Sequence, residues 1–104
     1  MVSEVNNKEF KKALGIVLKT VRKLRGHKVI VVHKSTGISE TSITSWETGR
    51  HGPSIDNLNI LARFYNIQLS TIIMNTEKTL IKLQQEKHPL ASKVEKSIIV
   101  GDNR

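Results

Sequence analysis

The sequence predicts an all-α domain of five short helices followed by a C-terminal helical tail. Apolar residues recur at the spacing of one helix face, as in Phe10, Leu14, Leu18 and Val21. Glycines and short polar residues separate the periodic segments, and such residues end and begin helices. The β-branched run at 29–32 favours a strand by local propensity. It has no second strand to pair with, so we interpret it as part of a helix.

Length and composition indicate one small domain. The chain has 104 residues, of which 38% are hydrophobic, enough for one modest core. The absence of cysteine excludes disulfides and thiolate metal sites and fits a reducing compartment. The first ten residues contain no apolar run, and no apolar stretch approaches the ~18 residues that span a membrane. We therefore expect a cytoplasmic protein with no signal peptide and no membrane segment.

The net charge of +8 and the isoelectric point of about 10.1 indicate a polyanionic partner. Residues 1–74 contain 11 basic and 5 acidic residues, whereas residues 75–104 contain 6 and 4. A membrane surface is disfavoured because no basic amphipathic face with bulky aromatic residues is present. Nucleic acid is the favoured partner, and solubility alone is the alternative explanation of the charge.

The chain divides into three predicted parts. Residues 1–8 are expected to be disordered, 9–74 to form the helical domain, and 75–104 to form a C-terminal helical extension. The predicted helices run from Glu9 to Arg25, between Gly26 and Gly37, from Ser39 to Thr48, from the cap Ser54 through Tyr65, and from Gln68 to Met74. In the extension, a helix is expected from Thr76 to about His88, where Pro89 breaks it, with a weak helix after it.

The segment from 37 to 54 has the layout of a helix-turn-helix. Gly37 suits the left-handed end of one helix, and Ser39 can cap the next. Ile43 and Trp46 share the face expected to be buried. The opposite face is polar, with Glu40, Thr41, Thr44 and Ser45. In such a motif the second helix enters the major groove of DNA.

From Leu14 to Ile73 the chain resembles the Cro/C1-type helix-turn-helix family, the XRE-like regulators that include phage repressors. The matching residues are Leu14-Gly15, Leu18, Val21, Arg22, Gly26, Gly37-Ile38-Ser39, the string SITSWETGR at 42–50, Pro53-Ser54 and LARFYNIQL at 61–69. The resemblance implies a lambda-repressor-like fold of five helices whose third helix reads double-stranded DNA. It further implies a transcriptional repressor that binds a palindromic operator as a homodimer.

Candidate DNA contacts follow from the resemblance, which implies base contacts at Glu40, Thr41 and Ser45, and from the chemistry of the neighbouring residues, which adds Thr44 and the phosphate contacts. The candidate base contacts are Glu40, Thr41, Thr44 and Ser45. Glu40 can accept from cytosine N4, the threonine methyl groups can contact thymine, and Ser45 can bond several base edges. The candidate phosphate contacts are Arg22, Lys28, Lys34, Ser39, Ser42, Arg50 and His51. The alternative interpretation is that the polar face around Thr41 contacts only solvent and does not bind DNA.

Two features of the sequence depart from the family pattern, and a third has a structural role in it. Lys28 and Val29 replace the usual Ser/Thr-Gln, so one phosphate contact of the family is missing. His33 stands where the family has a small alanine. It is read either as a partly exposed side chain that tilts the helix pair or as a pH- or ligand-sensitive joint. The resemblance also implies a partly buried ion pair between Arg22 and Glu47.

An enzymatic function is not expected. The four histidines lack metal-ligand spacing, and the sequence contains no Gly-rich phosphate loop, nucleophile elbow or carboxylate pair. We therefore expect no cofactor and no metal. The alternative function is an antitoxin or anti-repressor module on the same fold, which would bind a protein partner through residues 75–104.

Overall fold

The computed structural model describes residues 3–87, with side chains described for 7–86, and this part of the chain forms five helices and no strand. The helices are α1 (Ser3–Leu24), α2 (Val29–Thr36), α3 (Glu40–Glu47), α4 (Ile55–Tyr65) and α5 (Leu69–Lys87). α1 packs against α3 and α5, while α2 packs against α3 and α4. The predicted all-α, five-helix fold is confirmed. None of these helices is long and apolar enough to cross a membrane.

One apolar core joins all five helices. Its buried members are Leu14, Val17, Leu18, Val32, Ile38, Ile43, Trp46, Leu58, Leu61, Ala62, Tyr65 and Ile72. Val32 of α2 is fully buried, whereas Ile30 and Val31 are 38% and 40% exposed, so the β-branched run is helical with one inward face. Ile55 has the helical spacing of the buried residues Leu58 and Ala62 of α4, but it lies outside the core. It is 64% exposed because it is the first residue of the helix.

Local capping chemistry sets the predicted boundaries of α2, α3 and α4. Gly37 ends α2 with φ of 80°, and its N–H donates to the carbonyl of His33. Ser39 Oγ accepts from the backbone N–H of Ser42 over 3.1 Å, which caps α3. Ser54 Oγ caps α4 by accepting from the N–H of Asn57 over 3.1 Å. The predicted starts of α3 and α4 are confirmed.

The two ends of the described chain differ from the prediction. α1 begins at Ser3, so residues 3–8, which were expected to be disordered, are helical. α5 continues through residue 75 to Lys87, where two helices were expected. The physical reason is tertiary. Thr76 is fully buried, its Oγ1 donates to the carbonyl of Ile72 over 2.8 Å, and α5 packs along α1.

Residues 75–87 of the predicted extension are therefore continuous with the domain. The other predictions for the extension, including the break at Pro89 and the weak last helix, concern residues outside the described part of the chain.

Glycines allow a close contact between α1 and the C-terminal end of α3. A Cβ on Gly15 would overlap the carbonyl oxygen of Trp46 and lie 2.7 Å from that of Glu47. Gly49, in the loop after α3, has φ of 78°, and a Cβ there would lie 2.9 Å from Cα of Lys12. Both positions require glycine, because real Cβ atoms do not approach backbone so closely. This contact fixes the position of α3 on the domain.

Arg22 of α1 and Glu47 of α3 form a bidentate ion pair. Nε and Nη2 of Arg22 donate to the Glu47 carboxylate over 2.7 and 2.9 Å, and Nη1 donates to the carbonyl of His27 over 3.0 Å. The two side chains are 11% and 8% exposed. The hydrogen bonds to Glu47 raise the pKa of Arg22. Burial, with the Glu47 charge in addition, raises the pKa of Tyr65 to about 12.

We expect Gly15→Ala to destabilise the fold by about 1–3 kcal/mol, because the added methyl must displace backbone rather than a side chain. Gly52→Ala is the matched control. Gly52 has no positive φ, and a Cβ there would lie 3.5 Å from Lys11 Cγ, so its effect should stay within ~0.5 kcal/mol. Urea unfolding measures both free energies. Equal stability of the two variants would contradict the close helix contact.

We expect Glu47→Gln to cost about 3–5 kcal/mol, because it leaves the Arg22 charge buried without its partner. The double change Arg22→Met and Glu47→Leu should recover much of this loss, since it removes both charges. A double-mutant cycle by urea unfolding gives the coupling free energy. Strictly additive single changes would show that the two side chains do not interact in solution.

Candidate nucleic-acid interface

The four predicted base-contacting residues lie on one face of α3. Glu40, Thr41 and Thr44 are exposed, and Ser45 is half-buried. They occupy two adjacent rows of i and i+4 positions on the helix. Ile43 and Trp46, which lie on the opposite face, are buried in the core. Glu40 is the only acidic residue on the exposed face of α3, because Glu47 is paired with Arg22.

Two serines organise the N-terminal end of this face. Ser39 Oγ accepts from the backbone N–H of Ser42 and donates its own hydrogen to Ser42 Oγ over 2.9 Å. The hydrogen of the Ser42 hydroxyl then remains for an external acceptor. A phosphate oxygen is a suitable acceptor here, since a helix N-terminus favours negative charge. The structure thus brings Ser39 and Ser42 together, with Ser42 as the outward donor.

The loop at 48–51 folds back onto the C-terminal end of the same face. The backbone N–H groups of Arg50 and His51 donate to the carbonyl of Ser45 over 3.0 and 3.3 Å. Ser45 Oγ and His51 Nδ1 are joined by a hydrogen bond of 2.6 Å. Arg50 and His51 are both exposed. Two predicted phosphate contacts therefore adjoin the predicted base contacts.

α3 and this loop line one shallow groove. Its lining residues are Glu40, Thr41, Ser42, Thr44, Ser45, Trp46, Thr48, Gly49, Arg50 and His51. The groove contains seven of the predicted DNA contacts, four for bases and three for phosphates, together with the backbone of the loop. It is a continuous surface, lined by both polar and apolar atoms, on which the hydroxyl, imidazole and guanidinium groups lie side by side.

Two cations of this region were missed by the sequence prediction. Lys11 and Lys12 are exposed on α1. Lys12 packs by its backbone against Gly49, and the side chain of Lys11 lies beside Gly52. Sequence alone marks them as exposed lysines of a helix. Their position next to the loop after α3 depends on how α1 packs, which no local pattern reports.

The predicted contacts on α1 and α2 are less closely grouped. Lys28 and Lys34 are exposed. Lys28 is the extended N-cap residue before α2, whereas Lys34 lies in the last turn of that helix, so the two lysines mark its opposite ends. Arg22 is 9% exposed, and three of its N–H groups are used within the protein. Its geometry is that of a structural residue that joins α1 to α3.

His33 makes a bond across the turn between α2 and α3. Its Nδ1 lies 2.8 Å from the carbonyl oxygen of Ile38. A carbonyl only accepts, so Nδ1 carries a proton and donates. Thr36 Oγ1 accepts from the N–H of Ile38 over 3.1 Å, so the turn is held from both sides. The side chain that replaces the alanine of the family thus holds the turn of the motif.

Within residues 7–86, no group of three or more His, Cys, Asp or Glu side chains is placed to hold a metal ion. The chemistry available at the α3 surface is hydrogen bonding by hydroxyl, imidazole and carboxylate groups and attraction by lysine and arginine.

Comparison with known proteins agrees with this geometry. Residues 18–72 match the model of the helix-turn-helix family HTH_3, and this match covers more than half of the chain. It includes α2, α3 and α4 completely. Neither the curated proteins nor the solved structures gave a match. The chain therefore belongs to the Cro/C1-type, XRE-like helix-turn-helix family of DNA-binding regulators.

Proposed function

We propose that this protein is a sequence-specific transcriptional repressor of the cytoplasm that binds a palindromic operator as a homodimer. The observation that carries the proposal is the continuous exposed surface of α3 and the loop at 48–51. It combines hydroxyl groups for base edges with cations for phosphates. Family membership supports DNA-binding regulation. Repression follows in this proposal from occupation of the operator, which excludes competing proteins.

Phosphate contacts supply most of the affinity in this proposal. Arg50, His51, Ser42 and Ser39 contact the backbone around α3, and Lys28 and Lys34 contribute from α2. Lys11 and Lys12 add positive charge beside the loop. Such contacts neutralise phosphates and release counterions, so they position the protein without reading sequence.

Base readout is assigned to Glu40, Thr41, Thr44 and Ser45. Their side chains are short, and none is the Arg, Asn or Gln that makes strong bidentate base contacts. Glu40 accepts from cytosine N4, and the threonine methyl groups contact thymine. Because short side chains reach only a small distance, this readout requires α3 to lie deep in the major groove.

The proposed dimer uses the exposed apolar residues of α5. Met74 and Ile81 are 48% and 55% exposed and lie seven residues apart, about two helix turns, so they share one face. Two-fold symmetry would present two copies of α3 to half-sites separated by about 34 Å, one turn of DNA. The same exposed face supports the second candidate, a module that binds a different protein through residues 75–104.

Selection of bound duplexes from a random DNA pool tests the function directly. The expected result is an enriched palindrome with half-site centres about one DNA turn apart. Enrichment of no sequence would overturn sequence-specific binding and favour the protein-binding alternative. A reporter gene with the selected site in its promoter then tests the sign of regulation, and increased expression would contradict repression.

We expect Arg50→Ala to weaken binding to all duplexes by a similar factor, because its contact is to phosphate. The slope of log K against log salt concentration should become less steep by about 0.9. Arg63→Ala is the matched control: it removes the same charge from an exposed position on α4, which packs against α2 and α5. A fluorescence-anisotropy titration over a salt series measures both slopes. Equal effects of the two variants would contradict a local contact by Arg50.

We expect Ile81→Lys to weaken dimerisation about tenfold or more, because it places a charge in the proposed apolar interface. Ile55→Lys is the control, since Ile55 is 64% exposed on a different helix. Sedimentation equilibrium without DNA measures the dissociation constants. If Ile55→Lys dissociates the dimer and Ile81→Lys does not, the interface lies on the side of α4.

A further inference from the structure

Ser45 is proposed to contact a base and His51 a phosphate, yet their side chains are joined by a hydrogen bond. Ser45 belongs to the base-reading face of α3, whereas His51 lies in the loop that faces the backbone. Their side chains are joined by 2.6 Å between Oγ and Nδ1. The backbone N–H of His51 also lies 3.3 Å from the carbonyl of Ser45, to which it donates. The two residues are thus fixed to each other at two points.

The chemistry of the two groups limits how this bond can be made. A serine hydroxyl has one hydrogen and two lone pairs, and a neutral imidazole has one donor nitrogen and one acceptor nitrogen. The bond to Ser45 occupies Nδ1, so Nε2 is the ring nitrogen left for an external partner. A phosphate oxygen only accepts. When a neutral His51 ring faces a phosphate, Nε2 carries the proton and Nδ1 accepts from Ser45.

We propose that His51 determines the base specificity of Ser45 by fixing the direction of their hydrogen bond. With its only hydrogen directed to Nδ1, Ser45 presents lone pairs alone to the base. It then selects a base edge with an exocyclic amino group, which is adenine N6 or cytosine N4, over guanine O6 and thymine O4. This inference rests on the proposed DNA-binding function and adds a coupling between a phosphate contact and a base contact.

The surroundings of the pair favour the required phosphate position. Arg50 precedes His51, and the side chain of Lys11 lies beside Gly52 at the other end of the loop. Both cations are exposed, and their positive charge attracts phosphate to this loop. The bond between Ser45 and His51 that the coupling uses is already formed in the protein without DNA.

The test uses the full chain and the duplex selected from the random pool, with single base-pair changes at every position. Binding is measured for wild type, His51→Phe, Ser45→Ala and the double variant at one fixed pH and salt concentration. Arg50→Ala is the control for loss of a phosphate contact alone. Nitrogen NMR of the His51 ring in the wild-type complex reports which nitrogen carries the proton.

The expected results are specific to the coupling. Ser45→Ala should abolish a preference of about fivefold or more for adenine or cytosine at one position of each half-site. His51→Phe should abolish the same preference, whereas Arg50→Ala should leave it intact. In the Ser45→Ala background, His51→Phe should lower all affinities equally. The His51 ring should carry its proton on Nε2 in the complex.

Different failures separate the two proposals. If a duplex is enriched but His51→Phe weakens all variants equally and keeps the preference, the coupling is overturned while DNA binding stands. A guanine or thymine at the position that Ser45 reads, or a proton on Nδ1 in the complex, would overturn it as well. If no duplex is enriched, sequence-specific binding fails and the coupling fails with it.

Discussion

The close contact between α1 and the C-terminal end of α3 is the constraint on which the proposed interface depends. Gly15 lets the two backbones approach, and the bidentate pair of Arg22 and Glu47 fixes their relative direction. Gly49 then allows the following loop to pass over Lys12. Because Ser45 and His51 lie at this end of α3, any shift of the contact would also move the polar groups proposed to meet DNA.

Accurate placement of α3 is important in this protein because the side chains on its recognition face are short. A long arginine or glutamine can adjust its torsions to reach a base, whereas a serine or threonine hydroxyl follows the position of its helix. The positions of these hydroxyl groups relative to the bases must therefore be set by the placement of α3 and by local hydrogen bonds. Ser39 with Ser42, and Ser45 with His51, hold the hydroxyl groups at the two ends of the helix. Short side chains also lose little rotamer entropy on binding.

Most of the fold could be predicted because its signals are local. Gly37, Ser39 and Ser54 cap helices through bonds to residues within four positions, so sequence spacing is sufficient. The continuity of α5 was missed because the burial of Thr76 depends on α1. The exposure of Ile55 and the position of Lys11 beside the loop are likewise results of packing. The Ser45–His51 bond depends on a loop conformation that no periodic pattern encodes.

The ion pair is better explained by orientation than by stability. A matched apolar pair in the place of Arg22 and Glu47 is expected to recover much of the stability that is lost when one partner is removed, because burial of two charges costs desolvation. An apolar pair, however, tolerates rotation of α3 about its contact, whereas two parallel N–H···O bonds and the third bond to His27 allow one geometry. The pair also neutralises Glu47, a charge that would otherwise repel phosphate beside Arg50. Both effects act on the recognition surface. They explain why a buried ion pair, despite its desolvation cost, is found at the place where α1 orients α3.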